Sequence, residues 1–356
     1  MLACYIGLGA AAQSDSTGSL YLDIDAVAFF RDAEYFLPYT KGYTASAFRF
    51  SPTLRYQIDA KASIEGGVRM TALAGTDGSI KAYPILSIKY KAANWLQFTI
   101  GTIEGSLSHQ LDEPMYDYER WVYDFQEDGL QILTNTRHWS SDTWVNWEHF
   151  LYPWTADQER FTLGSRHTFE LVSSRSDGHL LLDASFMGSH RGGQFSDLDT
   201  CIETLFNENA GLRWEQRCLN GDYFRIKLPF YFFQNNSPKA ERHTPFENGW
   251  GVWPSVEMRA TWGKTAWQWA AGYYYGYQYL SPRGSYLFQS VSWYDPLFVQ
   301  RNRHLVTATI GFDHRYKELD LSALAQFYYD PDHKKLDLAI GITLAFKRSF
   351  RLLANL

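Results

Sequence analysis

The run KLDLAIGITLAFK, residues 335–347, alternates with a period of two. Leu336, Leu338, Ile340, Ile342, Leu344 and Phe346 fall on one face of an extended chain, and Asp337, Ala339, Gly341, Thr343, Ala345 and Lys347 on the other. Successive side chains of a strand point to opposite sides, so the segment sets a greasy stripe against a polar or tiny one. One such strand fits any sheet edge. This one is long enough to cross a bilayer, and its pattern recurs along nearly the whole chain.

Working back from it, Leu319 to Phe327, Val306 to Phe312 and Trp267 to Tyr277 alternate in the same way, as do Phe224 to Phe232 and Leu180 to Phe186. Leu20 to Ala28 opens the series. Segments 128–136 and 142–151 alternate less cleanly. The phase predicts an all-β, antiparallel up-and-down transmembrane barrel of about 16 strands, an even number as bacterial barrels have. Connections alternate short (58–61, 91–94, 315–317) and long (106–127, 191–206, 280–303). Tight periplasmic turns and longer extracellular loops give that asymmetry. The expected location is the outer membrane, with lipid as the first partner.

Composition agrees. Aromatic residues make up 17% of the 356 residues, yet mean hydropathy is negative. A barrel reconciles the two, because only alternate residues face lipid. No stretch approaches about 18 consecutive apolar residues, which excludes a helical span. The net charge is -6 with scattered basic residues, so no nucleic-acid partner is expected. The three cysteines show no metal-ligand spacing, and neither a metal nor a cofactor is expected. Residues 1–12 read as the later part of a secretory signal peptide and 13–19 as a polar linker. The barrel is expected over 20–350, with a short tail at 351–356.

Three stretches are distinctive: DAEYFLPYTKGY at 32–43, SIEGGV at 63–68 and EGSLSHQLDEPMYDYER at 104–120. Together they resemble a group of porin-like outer-membrane barrel proteins of Bacteroidota, largely without assigned activity. The resemblance implies fold, location and lineage, and it carries over no catalytic residue.

The face opposite the greasy stripes predicts a lumen. Pore-lining candidates are Asp23, Asp25, Arg55, Glu65, Arg69, Arg166, Glu170, Arg213, Glu215, Arg217, Arg225, Lys227, Glu257 and Arg259. Opposed charges in a water-filled lumen set up a transverse field that tunes selectivity, whereas the same residues as ion pairs would only brace the wall. The 106–127 connection is the most unusual. His109, Asp112, Glu113 and Arg120 are its constriction candidates, or else Glu119 and Arg120 pin it to the wall. The sequence reading is a channel for passive diffusion of small solutes, not an enzyme. Two rivals stand beside it. One is a non-transporting subunit of an outer-membrane assembly with other proteins or lipoproteins, its contacts at Trp250, Trp253, Tyr286 and Trp293. The other is a lipid hydrolase. Ser165 and His167 are two apart on a side predicted to face lipid, where outer-membrane phospholipases keep such a pair. His149 lies on the neighbouring segment, and no Asn or Asp stands out as an orienting partner.

Overall fold

The structure, a computed structural model, describes residues 18–76, 80–123, 126–150, 152, 158–174, 177–192, 202–238, 244–295 and 297–354. The expected signal peptide and most of the linker lie outside these residues.

Alternation becomes wall directly. The strands are β1 (Ser19–Glu34), β2 (Tyr43–Gln57), β3 (Ala62–Leu73), β4 (Lys81–Ala93), β5 (Leu96–Thr102) and β6 (Asp128–Asn135). Then come β7 (Trp139–His149), β8 (Glu159–Ser173), β9 (Gly178–Gly192), β10 (Glu203–Arg217) and β11 (Tyr223–Asn235). The series ends with β12 (Asn248–Val252), β13 (Ser255–Trp262), β14 (Thr265–Tyr277), β15 (Asn302–Tyr316), β16 (Leu319–Asp330) and β17 (Lys335–Leu353). Each pairs antiparallel with its neighbours in sequence, except that β12 and β13 pair with β11 and β14 and not with each other, and β1 pairs with both β2 and β17. Among the described residues, closure leaves no strand edge unpaired, which hydrocarbon demands.

β12 and β13 occupy one position in the wall, since both lie between β11 and β14. The interruption falls at Trp253-Pro254, where proline has no N–H to give the ladder. The cylinder therefore has 16 strand positions. Trp253 is 7% exposed and its Nε1 donates to Thr307 Oγ1 at 3.1 Å, so it is a lumen residue and not the partner contact expected from sequence.

Both described chain ends and the short turns share one end of the cylinder, and the long connections share the other. This orients the turn end to the periplasm and the loop end outward. Two long connections turn back into the lumen. The first leaves β5 at Gly101, which has φ of 102° and no room for a Cβ, because Leu86 O would lie 2.0 Å from it. It carries a one-turn 3-10 helix (Ser106–His109) and α1 (Arg120–Tyr123) before joining β6. The second links β14 to β15. Leu111, Met115 and Tyr116 of the first and Leu280, Leu287 and Phe288 of the second are buried. They pack in one cluster with wall residues Trp144, Met187, Leu205, Tyr231, Tyr274 and Tyr328. The loop-end half of the lumen is thus a packed core. The sequence leaves open whether the lumen is water-filled or braced and filled; in the loop-end half it is a plug, because both connections carry enough apolar side chains to fill that half.

Candidate functional site

The plug is held by paired charges. Arg31 Nη2 lies 2.6 Å from Glu119 Oε1, and Tyr35 donates to the same oxygen at 2.9 Å. Tyr43 donates to the other carboxylate oxygen. Lys227 Nζ and the Tyr231 hydroxyl hold Asp112 at 2.7 and 3.0 Å, and Tyr328 donates to Glu113 Oε1 at 2.6 Å. Arg120 lies over the Tyr116 ring at 5.4 Å. The two connections also bind each other, Asp117 N to Arg283 O at 2.7 Å and Ser285 N to Glu113 O at 3.0 Å.

At its centre His109 sits between two carboxylates, Nδ1 2.7 Å from Asp142 Oδ2 and Nε2 2.9 Å from Glu127 Oε2. Its ring stacks on Trp144 with centroids 3.5 Å apart. Burial alone would lower the histidine pKa, but Glu127 and Asp142 outweigh it and raise it to about 9. Burial pushes against Glu127 too, and His109 with Tyr116 still brings it down to about 2. Burial pushes Glu113 up to about 7. Ser106, three residues from His109, has φ of 56° and a buried Oγ without a hydrogen-bond partner. A serine beside a histidine and a carboxylate suggests a nucleophile. Here both ring nitrogens donate to carboxylates, so the ring cannot take a proton, and the group is a structural clasp.

The predicted pore-lining residues all lie on inward-facing positions, each beside a polar partner that is either another of them or a further lumen side chain. Asp23 meets Arg55 at 2.8 Å and Asp25 meets Lys347 at 3.0 Å. Glu65 meets Lys89 at 3.1 Å, and Arg69 donates to Gln126 at 3.1 Å. Glu170 takes His138 at 3.0 Å and His179. Glu215 gathers Arg213 at 3.1 Å, Arg217 at 2.6 Å and Arg225. Glu257 faces Lys227 at 3.4 Å and Arg259 faces Asp313 at 3.5 Å. Arg166 lies 3.7 Å from Asp183. A cavity of about 200 Å³ remains among Asp112, Arg166, Asp183, Arg213, Arg225, Lys227, Glu257 and Arg259. Among the described residues, no three His, Cys, Asp or Glu side chains converge as a metal site.

The outer wall holds a different group. Ser165 and His167 occupy outward positions of β8, half-exposed between Leu163 and Phe169. Across the ladder, Ser165 pairs with Thr143 of β7 and Phe186 of β9, and Phe186 pairs with Glu208 of β10. His167 pairs with Ser141 and with Ala184. Glu208 faces outward because its neighbours Asn207 and Asn209 are buried on the lumen side, where Asn207 Nδ2 donates to Leu280 O at 2.6 Å. Five polar side chains thus gather on a wall whose mid-depth positions are elsewhere mostly aliphatic and aromatic. Neither the Ser165 hydroxyl nor the Glu208 carboxylate has a side-chain partner among the described residues. Trp139 Nε1 donates to His167 Nδ1 at 3.3 Å. The row lies midway between Trp139 and Trp147, each four residues from Thr143 along β7. A cation at that depth of a barrel's lipid face costs roughly 2–4 kcal/mol and a carboxylate less, so Glu208 is destabilising where it stands. Sequence reading missed Glu208. Extending the phase of Ala210, Leu212 and Trp214 back by two residues puts it on the lipid face.

Closed strands, an apolar belt and a turn end opposite a loop end define an outer-membrane β-barrel. The chain belongs to the family described as Lipid A 3'-O-deacylase-type, whose model matches residues 12–355. No curated protein matches it. Among solved structures, a loop-deletion mutant of OmpT from Vibrio cholerae is similar at TM-score 0.54 and 11% identity, over 93% of this chain and 99% of that one. OprD of Pseudomonas aeruginosa gives TM-score 0.52 and 8% identity over 94% and 96%. OccAB4 of Acinetobacter baumannii gives 0.52 and 8% over 94% and 99%. Such low identities speak to the fold alone. The family overturns one expectation: a reading as a non-enzyme conflicts with membership of a family described as a deacylase.

Proposed function

We propose that this protein is an outer-membrane ester hydrolase that removes an acyl chain from a lipid A-type glycolipid lying against its wall. Ser165 is the nucleophile and His167 its base. The observation that carries the reading is the Ser165 hydroxyl, without a side-chain partner among the described residues, two residues from His167 on the lipid-facing side of β8. The family's description supplies the substrate class. The plug supports the same direction, because it fills the half of the lumen that a diffusing solute would enter first.

Ser165 Oγ attacks the ester carbonyl carbon while the imidazole of His167 takes its proton. The carbon–oxygen bond to the glycolipid then breaks, and the departing oxygen receives that proton. Water attacks the acyl-serine, releasing a fatty acid and restoring the hydroxyl. The Trp139 contact makes Nδ1 an acceptor, so Nε2 carries the proton in this arrangement. Proton acceptance at Nε2 therefore needs the indole to give up its contact when substrate arrives. Mass spectrometry of lipid A from cells expressing the protein tests the reading. We expect loss of one acyl chain with the wild type and an intact profile with Ser165→Ala; identical profiles would overturn it.

A second reading, a gated channel, is favoured by the charged cavity in the turn-end half. It requires the two inward connections to swing out. Steps of conductance in planar bilayers would support it, and a silent membrane would dispose of it.

A further inference from the structure

The cavity of the turn-end half lies beneath the plug, with Gln110 and Asp112 above it and Tyr223, Arg259 and Gln268 nearest the turn end. Among the described residues that line it, five are Arg or Lys and three are Asp or Glu, an excess of two positive charges. Glu215 and Asp313 stand just outside it and are matched by Arg217 and Lys264. The cations are also the charges that the cavity presents. The Glu215 and Glu257 side chains are 4% and 5% exposed, whereas those of Arg225 and Arg259 keep 26% and 23%. Arg225 and Arg259 lie 3.7 and 3.5 Å from Glu257 and Asp313, too long for good hydrogen bonds. A guanidinium has five N–H donors, so both keep donors for a guest. Arg225 is already oriented: Glu215 accepts from its Nε, and its guanidinium rests on the Tyr223 ring at 3.7 Å.

We infer that this cavity binds a small phosphate monoester taken up from the periplasm. Such a group carries about 1.5 to 2 negative charges at neutral pH and three strong acceptor oxygens, which matches the excess of two; a carboxylate brings only one charge. Fixed guanidiniums suit its oxygens, and the low-dielectric walls of a cleft focus their field. The volume of about 200 Å³ exceeds the roughly 150 Å³ that holds a benzene ring, so a short carbon skeleton fits beside the phosphate. Ser185, Asn209 and Gln268 offer neutral partners to its hydroxyls. The closed wall keeps bilayer lipid out, so the ligand is a soluble one. With the plug seated above, it enters and leaves by the turn end. The site lies on the opposite face of the wall from Ser165 and does not depend on the hydrolase reading.

The test is calorimetric titration of the full-length protein, in neutral detergent at low salt, with glycerol 3-phosphate. We expect saturable one-to-one binding tighter than about 1 mM, displaced by inorganic phosphate and not by acetate. Arg225→Gln and Arg259→Gln should each weaken it about tenfold, the effect of one charge-assisted hydrogen-bonded pair, and Arg259→Lys less. Lys61→Gln removes a cation from an exposed turn and should leave the affinity unchanged. Dihexanoyl phosphatidic acid, whose phosphate carries acyl chains, should not compete. Heat-dependent gel mobility confirms that each variant is a closed barrel. No saturable heat up to about 10 mM overturns the inference, as does an affinity that both arginine variants retain. An equal loss in Lys61→Gln would reduce the effect to net charge, and competition by the phosphatidic acid would make the ligand a lipid headgroup; either result also overturns it.

Discussion

Inside the barrel and on its outer wall, polar side chains are treated in opposite ways. Within the lumen Asp112, Glu113, Glu119 and Glu127 each meet a designated donor, and the plug they anchor is closed by apolar packing. On the outside, Ser165 and Glu208 stand in an apolar band with no side-chain partner among the described residues. A buried charge is tolerated when its partner is built in and costly when it is not. The interior, rich in chemistry-bearing residues, is therefore mostly architecture. The sparse exterior patch is where an unmet hydrogen-bonding demand points to a ligand.

The contrast is open to attack from both sides. The largest effect is expected from Ser165→Ala, which should cut deacylation by at least about 10³-fold with no change in heat-dependent gel mobility. A variant that stays active but melts early would put Ser165 among the structural groups instead. Next is Arg31→Ala. It leaves the Glu119 carboxylate with the Tyr35 and Tyr43 hydroxyls but without its cation, and removing one member of a buried ion pair costs up to roughly 3–5 kcal/mol. We expect a lower denaturant midpoint and new bilayer conductance, with deacylation kept; loss of deacylation would mean that the two regions are coupled.

Alkali should loosen the plug. His109, raised to about 9 from 6.5, contributes fully below the lower value and loses its contribution as pH climbs through the upper one. Glu113, raised to about 7 from 4.5, likewise favours the folded plug when protonated and ceases to do so through pH 7. Glu127, lowered to about 2, keeps its contribution everywhere above 4.5. Thermal midpoints measured in detergent should therefore fall from about pH 5 to about pH 9, and His109→Gln should flatten the upper part of that slope. A flat profile in the wild type would remove His109 as the clasp. The smallest effect is expected at Trp139. Its replacement by Phe frees His167 Nδ1 and should raise deacylation about two- to fivefold, well inside the span of acid–base catalysis. A fall would show that the indole positions the ring.

Much of the fold was legible because a two-sided environment enforces strict alternation. The 335–347 stripe emerges as β17, pairing along its length with β16 and β1. The break at Trp253-Pro254 left the phase on either side readable as a single wall position. The plug was less legible, because Leu111, Met115 and Phe288 carry no period and reveal their burial only once the wall surrounds them. Ser165 and His167 could be placed on the lipid side from phase alone. Glu208 escaped notice because a charge in a strand is most often a lumen residue, and its two buried Asn neighbours became informative only with the plug carbonyl of Leu280 in place.

Tyr279 and Ser281 reach Pro114 and Met115, residues 165 and 166 positions away in sequence. The connections they belong to spring from opposite sides of the cylinder. Contacts of such long range cannot form until the sheet has curled most of the way round, and ordering so long a span carries a large entropy. Seating of the two connections is then a late event in assembly, after insertion of the hairpins, and they act as a strut across the diameter that keeps the finished cylinder round.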